Sequence, residues 1–292
     1  MYEHINFHDL PQPTFAELIA EPTKLRQDML GPEAEIFDAQ LRYDPSPAVY
    51  LGIGSFKTTT RAQLTFIGLN LPCTGLGKLV HQSPNKKETM SVALKRPYRS
   101  KRGHGGGMGR LAYPEEEIAI FEECKLLIWA NSLLKVAYDF MSDFMHMHPS
   151  RAPPAFDILQ FRFVAAGMAI TQKPLDSIGP SPTTNHAAYL LEEILPGEKS
   201  DFVKYLHNAD ATSELSPDDL DYKLAEFLMF IQHVQYAITG GVAYVSDFQG
   251  MVLDPSTHLR SLPSHPGVGT YLTDPQILTS PYACCCLSLK NI

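Results

Sequence analysis

The sequence lacks the features that would place the chain in a membrane or outside the cell. No apolar run approaches the ~18 residues that a membrane-spanning helix needs, and the first ten residues carry Glu3, His4 and Asp9 rather than a signal-peptide pattern. Three of the five cysteines are consecutive, Cys284 to Cys286, which is a poor framework for disulfides. We therefore expect a reducing compartment, the cytoplasm or the nucleus, and no membrane partner.

An excess of basic charge is also missing. The 24 Lys and Arg residues stand against 32 Asp and Glu residues, a formal net charge of −8 at pH 7, which argues against a nucleic-acid partner. Residues 96–110 are an exception, because they combine Arg and Lys with several glycines. This segment predicts a loop. It leaves an RNA-associated protein open as an alternative, since such a loop can follow a phosphate backbone.

The periodicity of apolar residues predicts two long helices and several strands. Apolar side chains recur at helical spacing over Glu115 to Met141 and over Leu220 to Ala237. The predicted strands cover residues 62–68, 90–95, 156–170, 187–195 and 242–246. With 292 residues, the chain is long enough for one large two-lobed domain. The order of elements favours an α+β enzyme with its site between the lobes.

Three features of the first half are suited to binding phosphate groups. Gly52 and Gly54 open a turn before Lys57, and glycines let the backbone approach phosphate oxygens. Lys95 ends an apolar strand, where an ammonium group fixed by an acid can hold phosphates. Glu123 on the first long helix is the candidate acid. Each feature also has a structural explanation: an ordinary turn, a solvated strand edge and the wet face of a helix.

The second half contains candidate groups for catalysis and metal binding. Asp247 and Gln249 follow a predicted strand and alternate, so that they project to one side. An Asp can orient a hydroxyl nucleophile, and Gln249 with a further carboxylate, Asp274, offers the oxygen ligands that Mg²⁺ prefers. Asp274 precedes a proline and is also a typical turn opener. A buried-type strand ends at Glu192, where its backbone could hold an adenine edge or simply meet solvent.

These segments resemble, in the same order, motifs of the alpha-kinase family, which includes the myosin heavy chain kinases and elongation factor 2 kinase. The resemblance covers about residues 48–282. The matching segments are Gly52–Lys57, Val92–Tyr98, Glu123–Cys124 with Trp129–Ala130, Phe161–Val164, Leu190–Glu193, Phe202–Tyr205, Ser246–Gly250 and Leu272–Ile277. The resemblance implies a two-lobed, protein-kinase-like fold with a nucleotide cleft between the lobes. It also implies transfer of the ATP γ-phosphoryl group to Ser or Thr of a protein.

The resemblance further implies a role for each candidate residue. Asp247 would act on the substrate hydroxyl, and Gln249 with Asp274 would hold Mg²⁺. Lys95 would hold the ATP phosphates, with Glu123 as its ion-pair partner. The remaining positions implied in ATP binding are Gly52, Gly54, Phe56 and Lys57 in the glycine turn, and Glu192 and Ile194 around the adenine.

The zinc site of the family is incomplete in this sequence. His233 occupies the position of the first ligand, but no histidine precedes Cys284 at the required spacing, and Cys284 to Cys286 lack the spacing of a tetrahedral site. Zn²⁺ is therefore a candidate cofactor without a full ligand set, and His233 is equally an ordinary helix histidine. The glycine-rich segment that follows the Asp-Pro motif in the family is also absent.

The chain departs from the family spacing between Asp247 and Asp274. The two residues are 27 positions apart, and removal of Met251 to Gly267 would restore the family's separation of ten. We interpret residues 251–267 as translated intron or a late insertion. The expected organisation is an N-terminal extension (1–47), a kinase-type domain (48–282, lobes about 48–190 and 195–282) and an atypical tail (283–292). These departures leave a catalytically impaired, ATP-binding interaction module as an alternative.

Overall fold

The computed structural model describes residues 1–67, 70–81, 89–100, 108–150, 156–172, 186–195, 201–208, 211–253 and 269–279. Within this part, helices and strands form two lobes joined by a long helix. Both predicted helices are confirmed: the first is longer at both ends, Tyr113–Met147, and the second begins two residues later and ends one residue later than predicted, Tyr222–Ile238. No described helix has the length and apolar character needed to cross a membrane.

The N-terminal lobe is a closed barrel of six antiparallel strands. Around the barrel, each strand pairs with the next in the order β1, β2, β4, β5, β9, β8 and back to β1. These strands are β1 (Tyr2–Asp9), β2 (Phe37–Tyr43), β4 (Lys57–Phe66), β5 (Thr89–Ser100), β8 (Ala166–Thr171) and β9 (Ala188–Glu193). Closure leaves no free edge in this ring.

Alternation of side chains fills the barrel. In β2, Phe37, Ala39 and Leu41 are buried inside while the residues between them face outward. A short helix, α3 (Gly75–His81), adds its apolar side chains to the same core. The complementary outward positions of β5 and β9 include Lys95 and Glu192, so these charged residues lie on the barrel's outer face.

Smaller elements flank the barrel. They are α1 (Phe15–Ala20), α2 (Lys24–Leu30), a 3₁₀ turn (Pro47–Val49), β3 (Tyr50–Ile53) beside β4, and β6 (Met108–Arg110) beside the end of β5. Residues 1–47, expected to form a separate extension, contribute two barrel strands, so residue 47 is not a boundary of this sheet. The prediction of a loop over 96–110 is wrong at both ends, because β5 continues to Ser100 and β6 begins at Met108.

The C-terminal lobe contains α5 (Tyr222–Ile238) and two small sheets. The four-stranded sheet has the order β10, β12, β13, β7, and the two-stranded sheet pairs β11 with β14. Their bounds are β7 (Phe161–Phe163), β10 (Val203–Lys204), β11 (Ala243–Ser246), β12 (Gln249–Leu253), β13 (Gly269–Thr273) and β14 (Gln276–Thr279). The joining helix α4 (Tyr113–Met147) contributes many residues to the larger apolar core, which contains residues of both lobes.

Candidate active site

Two chain segments cross side by side in the C-terminal lobe. One runs from β11 through Asp247 into β12, and the other runs from β13 through Asp274 into β14. Antiparallel pairs flank the crossing on both sides: Ser246 opposite Gln276, and Gln249 opposite Thr273. This register places Asp247 and Asp274 at the same crossing, although 27 sequence positions separate them.

Both aspartates at the crossing have left-handed backbone conformations. The φ angles are 54° at Asp247 and 49° at Asp274, and within the described residues only these non-glycine positions have a positive φ. Aspartate is among the few residue types that tolerate this region. Such conformations cluster at functional sites, where neighbouring structure holds them in place. Here the paired strands on either side hold both.

Lys95 lies at the centre of a buried polar cluster between the lobes. Its Nζ lies 2.6 Å from Glu192 Oε2 and 2.8 Å from Asp274 Oδ1. It also donates to Thr273 Oγ1 at 3.3 Å, and the Thr273 hydroxyl donates in turn to Glu192 at 3.0 Å. The cluster therefore joins the outer face of the barrel to the crossing, as expected for a site between lobes.

Lys57 joins the same cluster from β4. Its Nζ lies 2.7 Å from Asp274 Oδ1 and donates to Glu123 Oε2 at 2.6 Å. The expected pairing of Glu123 with Lys95 is therefore replaced by a pairing with Lys57. The reason is geometric: Thr59 lies opposite Lys95, so Lys57 projects from the same outer face two positions along, where α4 passes. Glu192, expected beside adenine, supplies the acid to Lys95 instead.

The charges in this cluster shift one another's pKa values. Burial alone would raise the pKa of Asp274, but the ammonium groups of Lys95 and Lys57 outweigh it and hold the pKa well below its usual range. Burial opposes the charged forms of both lysines, yet the surrounding carboxylates raise their pKa values. Burial also raises the pKa of Glu192, and Lys95 offsets only part of this effect. Asp274 and both lysines are therefore charged near neutral pH.

A cavity of about 240 Å³ opens beside the cluster. Its polar lining is formed by Thr59, Arg61, Lys95, Glu192, Glu193, Thr273 and Asp274. Its other walls are largely apolar and are formed by Leu51, Ala93, Val164, Leu195 and Phe202, with Gly52 and Ile194 also on the lining. A mainly apolar cavity with a few convergent polar groups is the usual form of a small-ligand site.

The end of β9, which forms one wall of the cavity, is fixed by an ion pair. Arg162 donates to both carboxylate oxygens of Glu193, each at 2.7 Å. The Arg162 guanidinium carbon lies 4.2 Å from the centre of the Tyr271 ring. A bidentate, stacked arginine holds its partner in a defined orientation. Strands β7 and β13 of the C-terminal lobe are thereby tied to the last residue of a barrel strand.

Asp247 has a different environment from Asp274. Its carboxylate lies 3.0 Å from Lys204 Nζ on β10. Gln249 faces Thr273 across the β12–β13 pair, and paired residues share a face, so Gln249 lies on the side of the cleft. The residue after Gln249 is Gly250. Close packing requires a glycine there, because a Cβ would lie 1.8 Å from the Tyr271 carbonyl oxygen.

The glycine turn is closed by its own hydrogen bonds. The Gly54 N–H donates to the Lys57 carbonyl at 2.8 Å, and the Tyr98 hydroxyl donates to the Gly54 carbonyl at 2.7 Å. The Gly54 N–H is therefore already engaged. Phe56 is 71% exposed at the tip of the turn. Of the turn residues, Gly52 lines the cavity and Lys57 reaches the charge cluster.

Sequence reasoning missed five polar residues at this site. Thr273 and Lys204 lie inside the family-like segments Leu272–Ile277 and Phe202–Tyr205. Membership of these segments was the signal that could have found them. Arg162 lies in the family-like segment Phe161–Val164, but that segment does not predict its ion pair with Glu193. Gln232 and Gln235 on α5, discussed below, carry no local signal.

The remaining sequence expectations concern the zinc site and the insertion. His233 is exposed on α5, and no group of three or more metal-binding His, Cys, Asp or Glu side chains occurs in the described ranges. Cys284 to Cys286 and the tail lie outside these ranges. Of the predicted insertion, residues 251–253 belong to β12 and pair with β13, with Met251 buried. Residues 254–267 are not described.

The basic segment behind the RNA alternative is partly engaged in ion pairs. Arg96 lies 2.7 Å and Arg110 lies 3.5 Å from the fully buried Glu116, and Arg99 lies 2.6 Å from Glu115. These arginines hold the β5–β6 pair against the start of α4. They are therefore less available to a phosphate backbone than the sequence indicated.

Comparison with known proteins gives a family and a fold. A model of the alpha-kinase family matches residues 76–290, well over half of the chain. The structure of a novel alpha kinase from Entamoeba histolytica aligns over 96% of this chain and 78% of its own, with 12% identity and a TM-score of 0.54. An ATP complex of an inactive alpha-kinase domain of myosin heavy chain kinase A aligns over 96% and 84%, with 15% identity and a TM-score of 0.46. A search of curated proteins gave no match. The α+β, two-lobed kinase-like fold expected from the sequence is confirmed.

Proposed function

Because the chain belongs to the alpha-kinase family, we propose that it transfers the γ-phosphoryl group of ATP to a serine or threonine hydroxyl of a protein substrate. The observation that carries this proposal is the convergence at the cleft. Lys95 of the barrel contacts Asp274 at 2.8 Å, and the segment that carries Asp247 and Gln249 runs beside the segment that carries Asp274. Phosphoryl transfer depends mainly on such positioning and charge neutralisation.

The cavity provides complementary surfaces for the two ends of ATP. The apolar walls, including Ala93 and Val164, suit an adenine ring, and the backbone from Glu192 to Ile194 lies at the edge of the cavity. Lys95 and Lys57 would hold the phosphates. Glu192 Oε1 is buried and has no hydrogen-bond partner among the described residues.

The same residues fit a magnesium ion. Two ammonium groups, of Lys57 and Lys95, meet three carboxylates, of Glu123, Glu192 and Asp274. Asp274 and Gln249 offer carboxylate and amide oxygens, the ligand types that Mg²⁺ prefers. When bound, the ion would neutralise charge on the phosphate oxygens. We propose these two residues as its protein ligands.

Asp274 takes the place of an anionic ligand in the present arrangement. It bridges Lys57 and Lys95 at 2.7 and 2.8 Å, as a phosphate group would. On ATP binding, the lysines would exchange this carboxylate for phosphate oxygens, and Asp274 would become free to bind the metal. The protein would thus keep both lysines charged and oriented before the nucleotide arrives.

Asp247 is the residue that we propose to act on the substrate hydroxyl. It lies at the crossing on the opposite chain segment from Asp274, with its carboxylate 3.0 Å from Lys204. A carboxylate there can accept a hydrogen bond from the attacking hydroxyl and orient it. Lys204, through this contact, would hold the Asp247 carboxylate in place.

The proposal is tested with purified protein in two steps. We expect Mg²⁺-dependent thermal stabilisation by ATP, lost in Lys95→Ala. We also expect transfer of labelled phosphate to a basic, threonine-containing peptide, lost in Asp247→Ala. ATP-dependent stabilisation with equal background labelling in wild type and Asp247→Ala would overturn the kinase proposal and leave the ATP-binding interaction module.

A further inference from the structure

The catalytic strand β11 is hydrogen-bonded along both edges, but only one edge faces another strand. Strand β14 pairs with it on one side. On the other side, side chains from α5 and its C-cap take the place of a strand. Thr239 Oγ1 accepts from the Ala243 N–H at 3.2 Å and donates to the Ala243 carbonyl at 2.9 Å.

Two glutamines make the corresponding hydrogen bonds to Val245, the next residue of β11 whose backbone groups point away from β14. Gln232 donates through Nε2 to the Val245 carbonyl at 2.9 Å, and the Val245 N–H donates to Gln235 Oε1 at 2.9 Å. Gln232 is 2% exposed and Gln235 is fully buried. Alternation makes residues 243 and 245 the ones whose backbone groups point away from β14. The next residue in this series is Asp247.

The glutamines are an unusual choice for this position. The second polar atom of each amide, Gln232 Oε1 and Gln235 Nε2, is buried without a hydrogen-bond partner among the described residues. Buried, unpartnered amide atoms destabilise a fold, and an apolar side chain of similar size would avoid them. What both amides do accomplish is to fix the backbone two residues before an aspartate with a φ of 54°.

We propose that Gln232 and Gln235 are positioning residues that clamp Val245 and thereby hold Asp247 in its catalytic orientation. This inference rests on the proposed kinase function. The clamp acts on the chain segment that carries Asp247 and Gln249, whereas the ammonium groups of Lys95 and Lys57 are held by other elements. Loss of the clamp therefore reduces the rate of phosphoryl transfer while ATP binding is retained.

The first arm of the test observes the clamp without using activity. Hydrogen exchange of the Val245 amide is measured in wild type, Gln235→Met and Gln235→Glu. Met has nearly the shape of Gln but no acceptor, and Glu keeps an oxygen acceptor in either protonation state. We expect Val245 exchange to be faster by tenfold or more, on the order of one lost hydrogen bond, in Gln235→Met, and close to wild type in Gln235→Glu.

The second arm separates kcat from KM for ATP. We expect Gln232→Met and Gln235→Met each to lower kcat by about 10- to 100-fold, because a misplacement of about 1 Å has this effect. KM for ATP should change by less than about twofold. Gln235→Glu should restore much of kcat. Glu226→Gln, an exposed position on α5, is the matched surface control, and Leu228→Ala, a buried position, reports general destabilisation of the helix.

The outcomes distinguish this inference from the kinase proposal. Unchanged Val245 exchange in Gln235→Met would overturn the clamp. Faster exchange with an unchanged kcat would overturn the positioning role. A fall in kcat that Leu228→Ala reproduces at equal loss of stability would also overturn it, because a structural role would then suffice. An inactive wild type with the expected exchange pattern would refute the proposed function, and the positioning role with it, while leaving the clamp intact.

Discussion

The cleft contains two lysine–aspartate pairs with similar geometry and different surroundings. Lys95 Nζ lies 2.8 Å from Asp274, and the two side chains are 6% and 30% exposed. Lys204 Nζ lies 3.0 Å from Asp247, with exposures of 40% and 14%. Lys95 has a second carboxylate at 2.6 Å, whereas the second contact of Lys204, with Glu214, is 3.8 Å long.

This difference in burial indicates a division of labour. A buried charge that loses its partner is left uncompensated in a medium of low dielectric constant, so the Lys95 cluster must stay complete for the fold to be stable. The Lys204 side chain, by contrast, is exposed and screened by water, so its contribution to stability is small. We infer that the Lys95 side of the cleft supports both binding and folding, while the Asp247 side is specialised for the transfer step.

The largest expected effect is a fall in kcat on substitution of Asp247. Asp247→Asn keeps the shape of the side chain and the tolerance for a positive φ, but removes the carboxylate that would orient the hydroxyl. We expect kcat to fall by about 10²- to 10⁴-fold, with ATP-dependent stabilisation retained. Steady-state kinetics and thermal shift measure the two effects. Loss of ATP binding in this variant would contradict the proposed separation of roles.

The next effect concerns the stability of the Lys95 cluster. Lys95→Met preserves most of the apolar stem and leaves Glu192 buried without its cation. We expect the free energy of unfolding to fall by about 3–5 kcal/mol, the scale for breaking a buried ion pair. Urea denaturation measures this change.

A second substitution identifies the cause of that loss. In Lys95→Met combined with Glu192→Gln, the stranded carboxylate becomes a neutral amide, so part of the lost stability should return. Lys135→Met is the matched control, since Lys135 forms an exposed ion pair with Asp139 on the surface of α4. A double variant that is less stable than Lys95→Met would refute the buried-charge explanation.

Local patterns were sufficient to predict the two long helices. The order of Lys95, Asp247, Gln249 and Asp274 in family-like motifs predicted one cleft, and Lys95 does contact Asp274. The roles of these residues in ATP and magnesium binding stay predictions. The described part of the predicted insertion, residues 251–253, lengthens β12 beyond Gly250, so that Asp247 and Asp274 still meet at the crossing.

Long-range pairing could not be predicted from local patterns. Strand β1 has few apolar residues, chiefly Ile5 and Phe7, and its place in the barrel depends on pairing with β8, more than 150 positions away. The prediction that Glu123 pairs with Lys95 was wrong for a related reason. Two lysines lie on adjoining strands of one face, and only the rotation and path of α4 decide which of them meets the glutamate.

A smaller effect is expected in the pH dependence of stability, through the titration of Asp274. Lys95 and Lys57 hold the pKa of folded Asp274 below its ordinary value of 3.8. Its stabilising contribution is therefore present above pH 3.8 and is lost as pH falls through the lower, folded value. We expect wild type to exceed Asp274→Asn in stability by on the order of 2 kcal/mol near neutral pH. In urea denaturation at decreasing pH, this difference should shrink below about pH 4; a constant difference would contradict the assignment.

The smallest expected change in stability is at Lys204, the exposed counterpart of Lys95. Lys204→Met removes the 3.0 Å contact with Asp247. The Lys204 side chain is 40% exposed and already screened by water, so the free energy of unfolding should fall by less than about 1 kcal/mol. The rate should fall by a larger factor than this loss implies, because Asp247 loses the contact that holds its carboxylate in place. Urea denaturation and kcat measured on the same preparation test this expectation. A stability loss as large as that of Lys95→Met would show that burial is not what separates the two pairs.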